Sequence, residues 1–363
     1  MKVNRTMDQQ RTIHRGQFVA DWPTYAVDWA GDVYGCVLVG SFADDGTNKI
    51  EILQMQPTQL VHSIATAQLN YPATQVQWAP HKITGRDSGN IPFNLFASTG
   101  GAFQLWSIED GVVSALAMLK QKNTNVLNDV EGSTAPTTSM DWNIIRREIV
   151  VTGSVDTTCV VWNVERRIAQ AQLIAHDREV FDVAFLARSA DVFVSTGAEG
   201  SLRMFDLRSL EHSTILYEAS SNGSLPLLRV SANTQDQHFV ATFHLDSNTV
   251  HIIDIRFPGV PLLNLAGHEG NINCVKWAPG SRNICSTGGD DGQILIWNTT
   301  ENGTLFDAKT LALYGNMKNN TCRQLNESIF FWSAEAEVNN LCWSNDAEWI
   351  GACWGISFQA LKV

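Results

Sequence analysis

The chain has 363 residues, 44% of them hydrophobic, and carries 37 acidic against 25 basic side chains for a formal charge of −12. That length allows one large all-β domain or two ordinary domains, and the negative charge repels phosphate backbones. The basic pairs Arg146–Arg147 and Arg166–Arg167 are isolated, so direct nucleic-acid binding is set aside.

Short β-type runs bounded by Gly, Asp, Asn and Pro fill the chain, and helical periodicity is scarce. The fold class read from this is all-β. In chain order, QFVAD (17–21) precedes a run closing at Trp29 and continuing through GSFADDGTNKIEIL. Trp78 to Trp106 spans 28 positions, with a lengthened loop at 81–92, while Trp142 to Trp162 and Phe185 to Phe205 each span 20. Ala232 to Ile253 spans 21, Trp277 to Trp297 spans 20, and Trp343 opens a last unit.

Landmarks at 29, 78, 142, 185, 232, 277 and 343 give spacings of 49, 64, 43, 47, 45 and 66, against about 40 to 45 for a four-stranded propeller blade. Polar, Asn-rich segments at 120–136 and 301–328 occupy the long intervals and read as loop insertions. A lone blade exposes two apolar faces, so seven must pack around an axis, and residues 1–363 are expected to form a single seven-bladed β-propeller. After Trp343 there is room for about three strands. QFVAD is the natural donor of the fourth, and closing the ring this way removes an open edge.

Seven scattered cysteines, with no CxxC and no His at ligand spacing, read as reduced thiols, so no metal or cofactor is expected. MKVNRTMDQQ lacks an apolar stretch and no run approaches the ~18 apolar residues of a membrane span, which predicts a soluble intracellular protein.

Gly267–His268 and Trp297–Asn298 stand where WD repeats carry GH and WD, and the units resemble that family. AHDREVFDVAF (175–185), DVFVSTGAEGSLRMFDLRSLEHSTILYE (191–218), YPATQVQW (71–78), APTTSMDWN (135–143) and EVNNLCW (337–343) are similar to one subfamily. It contains plant Transparent Testa Glabra and the animal cullin-four-ligase-associated factor seven. The resemblance implies a non-catalytic, monomeric scaffold of cytoplasm and nucleus that holds protein kinases and transcription regulators. Substrate reception for a cullin–RING ubiquitin ligase is the alternative; a propeller enzyme or a peroxisomal cargo receptor ranks below both.

The resemblance also assigns residues. In WD repeats a His, a Ser or Thr, an Asp and a Trp form a buried network, and His268, Thr287, Asp291 and Trp297 supply all four in the sixth blade. The third has Thr152, Asp156 and Trp162; the fourth has His176, Ser195 and Glu199, with Phe205 in place of Trp. The fifth has Ala232 and Ile253 at aromatic positions, which predicts looser packing there. A hydrolase reading would make Ser195 the nucleophile, His176 the base and Asp182 the orienter. Against it, no GxSxG elbow surrounds Ser195 and the same positions recur around His268. His62, His81, His212, His238, His244 and His251 have no acidic or cysteine partner at ligand spacing, so surface or packing roles are expected.

FDLR (205–208) and IDIR (253–256) resemble the WDxR motif of ligase-receptor propellers. Asp206, Arg208, Asp254 and Arg256 are therefore candidate contacts to a ligase linker, or plain turn caps and strand-end charges. Asp177, Arg178, Asn273, Asp290 and Asn339 are candidates for a partner face around the channel.

Overall fold

A computed structural model describes residues 15–31, 35–56, 61–80, 94–119, 135–219, 225–300 and 322–363. After β1 (Arg15–Val19), the first blade is β2 (Thr24–Trp29), β3 (Cys36–Ser41), β4 (Asn48–Met55) and β5 (Val61–Leu69). The second is β6 (Gln75–Trp78), β7 (Leu95–Thr99), β8 (Phe103–Glu109) and β9 (Val112–Leu119). The third is β10 (Thr137–Trp142), β11 (Ile149–Ser154), β12 (Thr158–Asn163) and β13 (Ile168–Ile174). The fourth is β14 (Val180–Phe185), β15 (Val192–Gly197), β16 (Ser201–Asp206) and β17 (Ser209–Glu218). The fifth begins with β18 (Leu227–Ala232), β19 (Phe239–His244), β20 (Val250–Asp254) and β21 (Leu263–Leu265). Then come β22 (Ile272–Trp277), β23 (Ile284–Gly289) and β24 (Gln293–Asn298), followed by β25 (Arg323–Leu325) and β26 (Phe330–Ser333). The last are β27 (Asn340–Trp343), β28 (Trp349–Trp354) and β29 (Ser357–Lys362).

Every landmark read from the sequence ends the first strand of its sheet. Those first strands touch in succession, β2 to β6 and onward to β27, which returns to β2. They line the axis of a seven-bladed propeller. Apolar side chains from facing sheets fill the gaps between blades: Trp29, Leu53, Trp349 and Phe358 pack where the first and seventh meet, and Phe103, Trp142 and Trp162 between the second and third. Closure follows the expected route, because β1 adds antiparallel to β29 with Phe18 opposite Phe358.

A second set of bonds runs around the axis. The Asp28 carboxylate accepts from the Trp78 backbone N–H (2.8 Å), the Gln77 side-chain oxygen Oε1 from that of Trp142 (3.0 Å), and the Asp141 carboxylate from that of Phe185 (2.6 Å). Asp182 accepts from Val230 (3.0 Å) and the Ser231 hydroxyl from Trp277 (3.3 Å). The inner strands of blades one to five thus each satisfy a backbone donor of the next blade that its own sheet leaves over.

Two expectations need correction. Residues 301–328 are not loop throughout: 301–321 lie outside the described residues, but β25 joins the fifth sheet as a parallel strand, pairing Leu263 with Arg323 and Leu265 with Leu325. The short β21 offers an unfilled edge, and Leu325 packs on the core beside it. Nor is the fifth blade loose. Phe239, Ala241, Phe243, Val250 and Ile252 are fully buried against the sixth blade, and Val240 and Ile253 are fully buried against the fourth. The loop at 81–92 and most of the 120–136 insertion lie outside the described residues.

Candidate interaction site

In the sixth blade His268 Nε2 lies 2.7 Å from Thr287 Oγ1, and Nδ1 lies 3.0 Å from both Asp291 oxygens. Trp297 donates to Thr287 at 2.8 Å. An indole can only donate, so the relay runs from Trp297 through Thr287 and His268 to Asp291. Burial works to raise the Asp291 carboxyl, but bonds from His268, Gln293 and Glu269 outweigh it and hold it at about 2.

The fourth blade repeats the arrangement. His176 Nε2 lies 2.7 Å from Ser195 Oγ and Nδ1 lies 2.5 Å from Glu199, whose carboxyl is held at about 2 by His176 and Ser201 against the effect of burial. A Cβ on Gly197 would collide with both Glu199 and His176, so this position must be glycine for the pair to seat. Phe205 stacks on Phe193 at 5.1 Å instead of donating to Ser195. Ser195, His176 and Glu199 have the order of a nucleophile relay, yet Ser195 is 0% and His176 1% exposed, so no substrate atom can approach that hydroxyl. Asp182 orients nothing there; it bonds the Val183 and Val230 N–H groups.

Elsewhere the network is partial. Trp162 donates to Thr152 at 2.9 Å, while Asp156 turns away to cap Thr158. The sequence reading missed Trp106 donating to Ser98 and Trp343 donating to Ser286, each at 2.9 Å. A Ser on the second strand with a Trp eight positions later was the available signal for the first. His238 does have an acidic partner, Asp236 at 2.7 Å in the same turn, a spacing too short to suggest a ligand set. Tyr217 of the fourth blade packs with His244 and His251 of the fifth; His81 lies outside the described residues.

Antiparallel strands place turns at two ends of the ring. The upper end holds the connections between blades and the turns joining second to third strands. Asp44, Asp45, Asp177, Asp246, Glu269, Asp290, Glu335 and Glu337 are all exposed there, and Arg178 is the exposed cation at that end among the described residues. Of the predicted partner residues, Asp177 and Arg178 face solvent with side chains 77% and 65% exposed. The asparagines instead serve the ring: Asn273 donates to Asp290 (2.7 Å) and the Val338 carbonyl (3.2 Å), and Asn339 to the Thr24 carbonyl (3.2 Å).

At the lower end, Arg166, Arg167, Arg188, Arg208, Arg256 and Arg282 are exposed over blades three to six. Both Asp-x-Arg motifs close on themselves. Arg208 grips Asp206 through Nε (2.8 Å) and Nη2 (2.5 Å) at the surface, and Arg256 grips the buried Asp254 through Nε (2.9 Å) and Nη2 (2.7 Å). Between the ends lies a channel cavity of about 230 Å³ whose lining includes Asp28, Asp141, Asp182 and Lys276. Burial pushes Asp28 up to about 7 and Asp141 up to about 6, and raises Asp182 as well.

The family model described as "WD domain, G-beta repeat" matches residues 259–298. That span holds the sixth blade's first three strands and all four members of its network, the blade that departs least from the repeat. Across the whole chain, a DDB1- and CUL4-associated factor 7 homolog of Dictyostelium discoideum is 38% identical, covering 94% of this chain and 96% of its own length. The chain belongs to that WD-repeat family. An uncharacterized WD repeat-containing protein of Schizosaccharomyces pombe is 36% identical over 95% of the chain and 88% of its own length. A WD repeat-containing protein of Saccharomyces cerevisiae is 31% identical over 96% and 76%. Similarity over such shares spans every blade, so these relatives match the ring and not one repeat.

Proposed function

We propose that this protein is a non-catalytic scaffold, working as a monomer in cytoplasm and nucleus, that assembles protein kinases and transcription regulators. The observation that carries the reading is the excess of exposed carboxylates over exposed cations at the upper end among the described residues. Exposed carboxylates crowd the upper end, where side chains of several blades converge, and suit basic segments of partner proteins. The residues that look catalytic are meanwhile buried structural groups. Affinity purification followed by mass spectrometry tests this: kinases or transcription regulators should be recovered with the native chain and lost with Asp44→Lys/Asp45→Lys/Asp177→Lys. Equal recovery with both would remove the upper end as the binding face.

A second reading, substrate receptor of a cullin–RING ligase, draws on the name of the Dictyostelium relative and on the two Asp-x-Arg turns. Arg208 is exposed and paired only within its own turn, so Arg208→Ala should abolish recovery of a ligase linker while leaving the scaffold partners in place. Absence of any linker from the native purification would sink this reading.

A further inference from the structure

Arginines from three successive blades meet in a pocket of about 530 Å³ at the lower end, whose lining includes Arg188, His238, Arg256 and Arg282. Its concentration of cations runs against a chain charge of −12. Two of the guanidinium groups are braced by carboxylates shielded from water. Asp254, 1% exposed, holds Arg256 through two nitrogens. Asp236, 8% exposed, pairs with Arg282 and with His238. A carboxylate behind a guanidinium fixes the plane of its donor fork, so less side-chain freedom is lost when an anion arrives. Arg188, from the fourth blade, is exposed and brings the third guanidinium. Three arginines against two carboxylates leave an excess of one positive charge, before any contribution from His238.

We propose that this pocket binds a phosphate monoester carried by a protein segment, that is, a phosphorylated serine or threonine side chain. A carboxylate has two oxygens and satisfies one guanidinium fork. A phosphate dianion has three acceptor oxygens and can engage forks from several blades together. The site goes beyond the scaffold reading and uses the opposite end of the ring, so the two can fail separately.

The test uses the full chain and a labelled peptide in which phosphoserine is flanked by alanines, compared with its serine and glutamate counterparts by fluorescence anisotropy. The phosphopeptide should bind at least about tenfold tighter than the serine peptide, the difference one or two charge-assisted hydrogen bonds supply. Inorganic phosphate should displace it, and added salt should weaken it. Arg188→Ala and Arg282→Ala should each reduce the preference, and Arg188→Ala should do so at an unchanged melting temperature. Equal binding of the phosphorylated and serine peptides, or a preference retained in the double variant, overturns the site. A glutamate peptide that binds as tightly as the phosphopeptide overturns the choice of phosphate.

Discussion

The Asp141 carboxylate accepts the Phe185 backbone N–H at 2.6 Å and the Gln77 side-chain amide at 3.1 Å, so one buried acid ties the second, third and fourth blades together. It does so from a position where burial disfavours its charge, and stability therefore depends on pH in a direction opposite to that of most carboxylates.

Because burial lifts Asp28 to about 7 and Asp141 to about 6, the folded ring binds more protons at these sites than the unfolded chain between about pH 4 and 7. Their contribution is most favourable at the acid side of that window and declines as pH rises. Asp141→Asn keeps an acceptor for Phe185 while removing the charge. Its melting temperature should exceed that of the native chain by a few °C at pH 8, and the gain should shrink by pH 5. A gain independent of pH would contradict the assignment.

Glu199 and Asp291 behave in the ordinary sense. Their carboxyls are held at about 2, so the unfolded chain binds more protons as pH falls from about 4.5 toward 2, and their stabilisation is present above that range and lost through it. Replacing either with its amide should flatten the acid limb of a stability curve followed by circular dichroism.

Thr287 serves both Trp297 and His268, whereas Ser195 receives no indole donor. Thr287→Val should therefore cost about 2 to 3 kcal/mol, and Ser195→Ala about 1, the difference being the second buried group left without its partner. Urea denaturation of the two variants measures this; equal costs would show that Trp297 finds another acceptor.

Removing residues 1–19 should expose the outer edge of β29, lower the melting temperature and promote association that rises with protein concentration. Light scattering after size-exclusion chromatography would detect it. A truncated chain that remains monomeric and equally stable would show that β1 is dispensable for closure.

The ring was legible because an aromatic closes nearly every inner strand and its spacing survives the loop insertions. The relay around His268 was legible for a related reason: its four members keep their offsets. The axial bonds were not. Asp28, Gln77 and Asp141 sit directly before Trp29, Trp78 and Trp142, and in an alternating strand a polar residue there reads as solvent-facing. In a closed ring that face points at the axis and at the next blade. β25 escaped notice because three residues in a polar tract show no periodicity, and Asn273 and Asn339 read as surface groups because an amide's partners depend on neighbouring blades.

The pairing of β1 with β29 also sets an order of events during synthesis. Among the described strands β1 is made before all the others and β29 after them, so six blades can stack while the seventh remains unfinished. Until β29 emerges, the nascent protein is an open arc with an uncovered edge on each side. The risk of pairing with a wrong strand is therefore greatest between completion of the sixth blade and the meeting of β1 with β29.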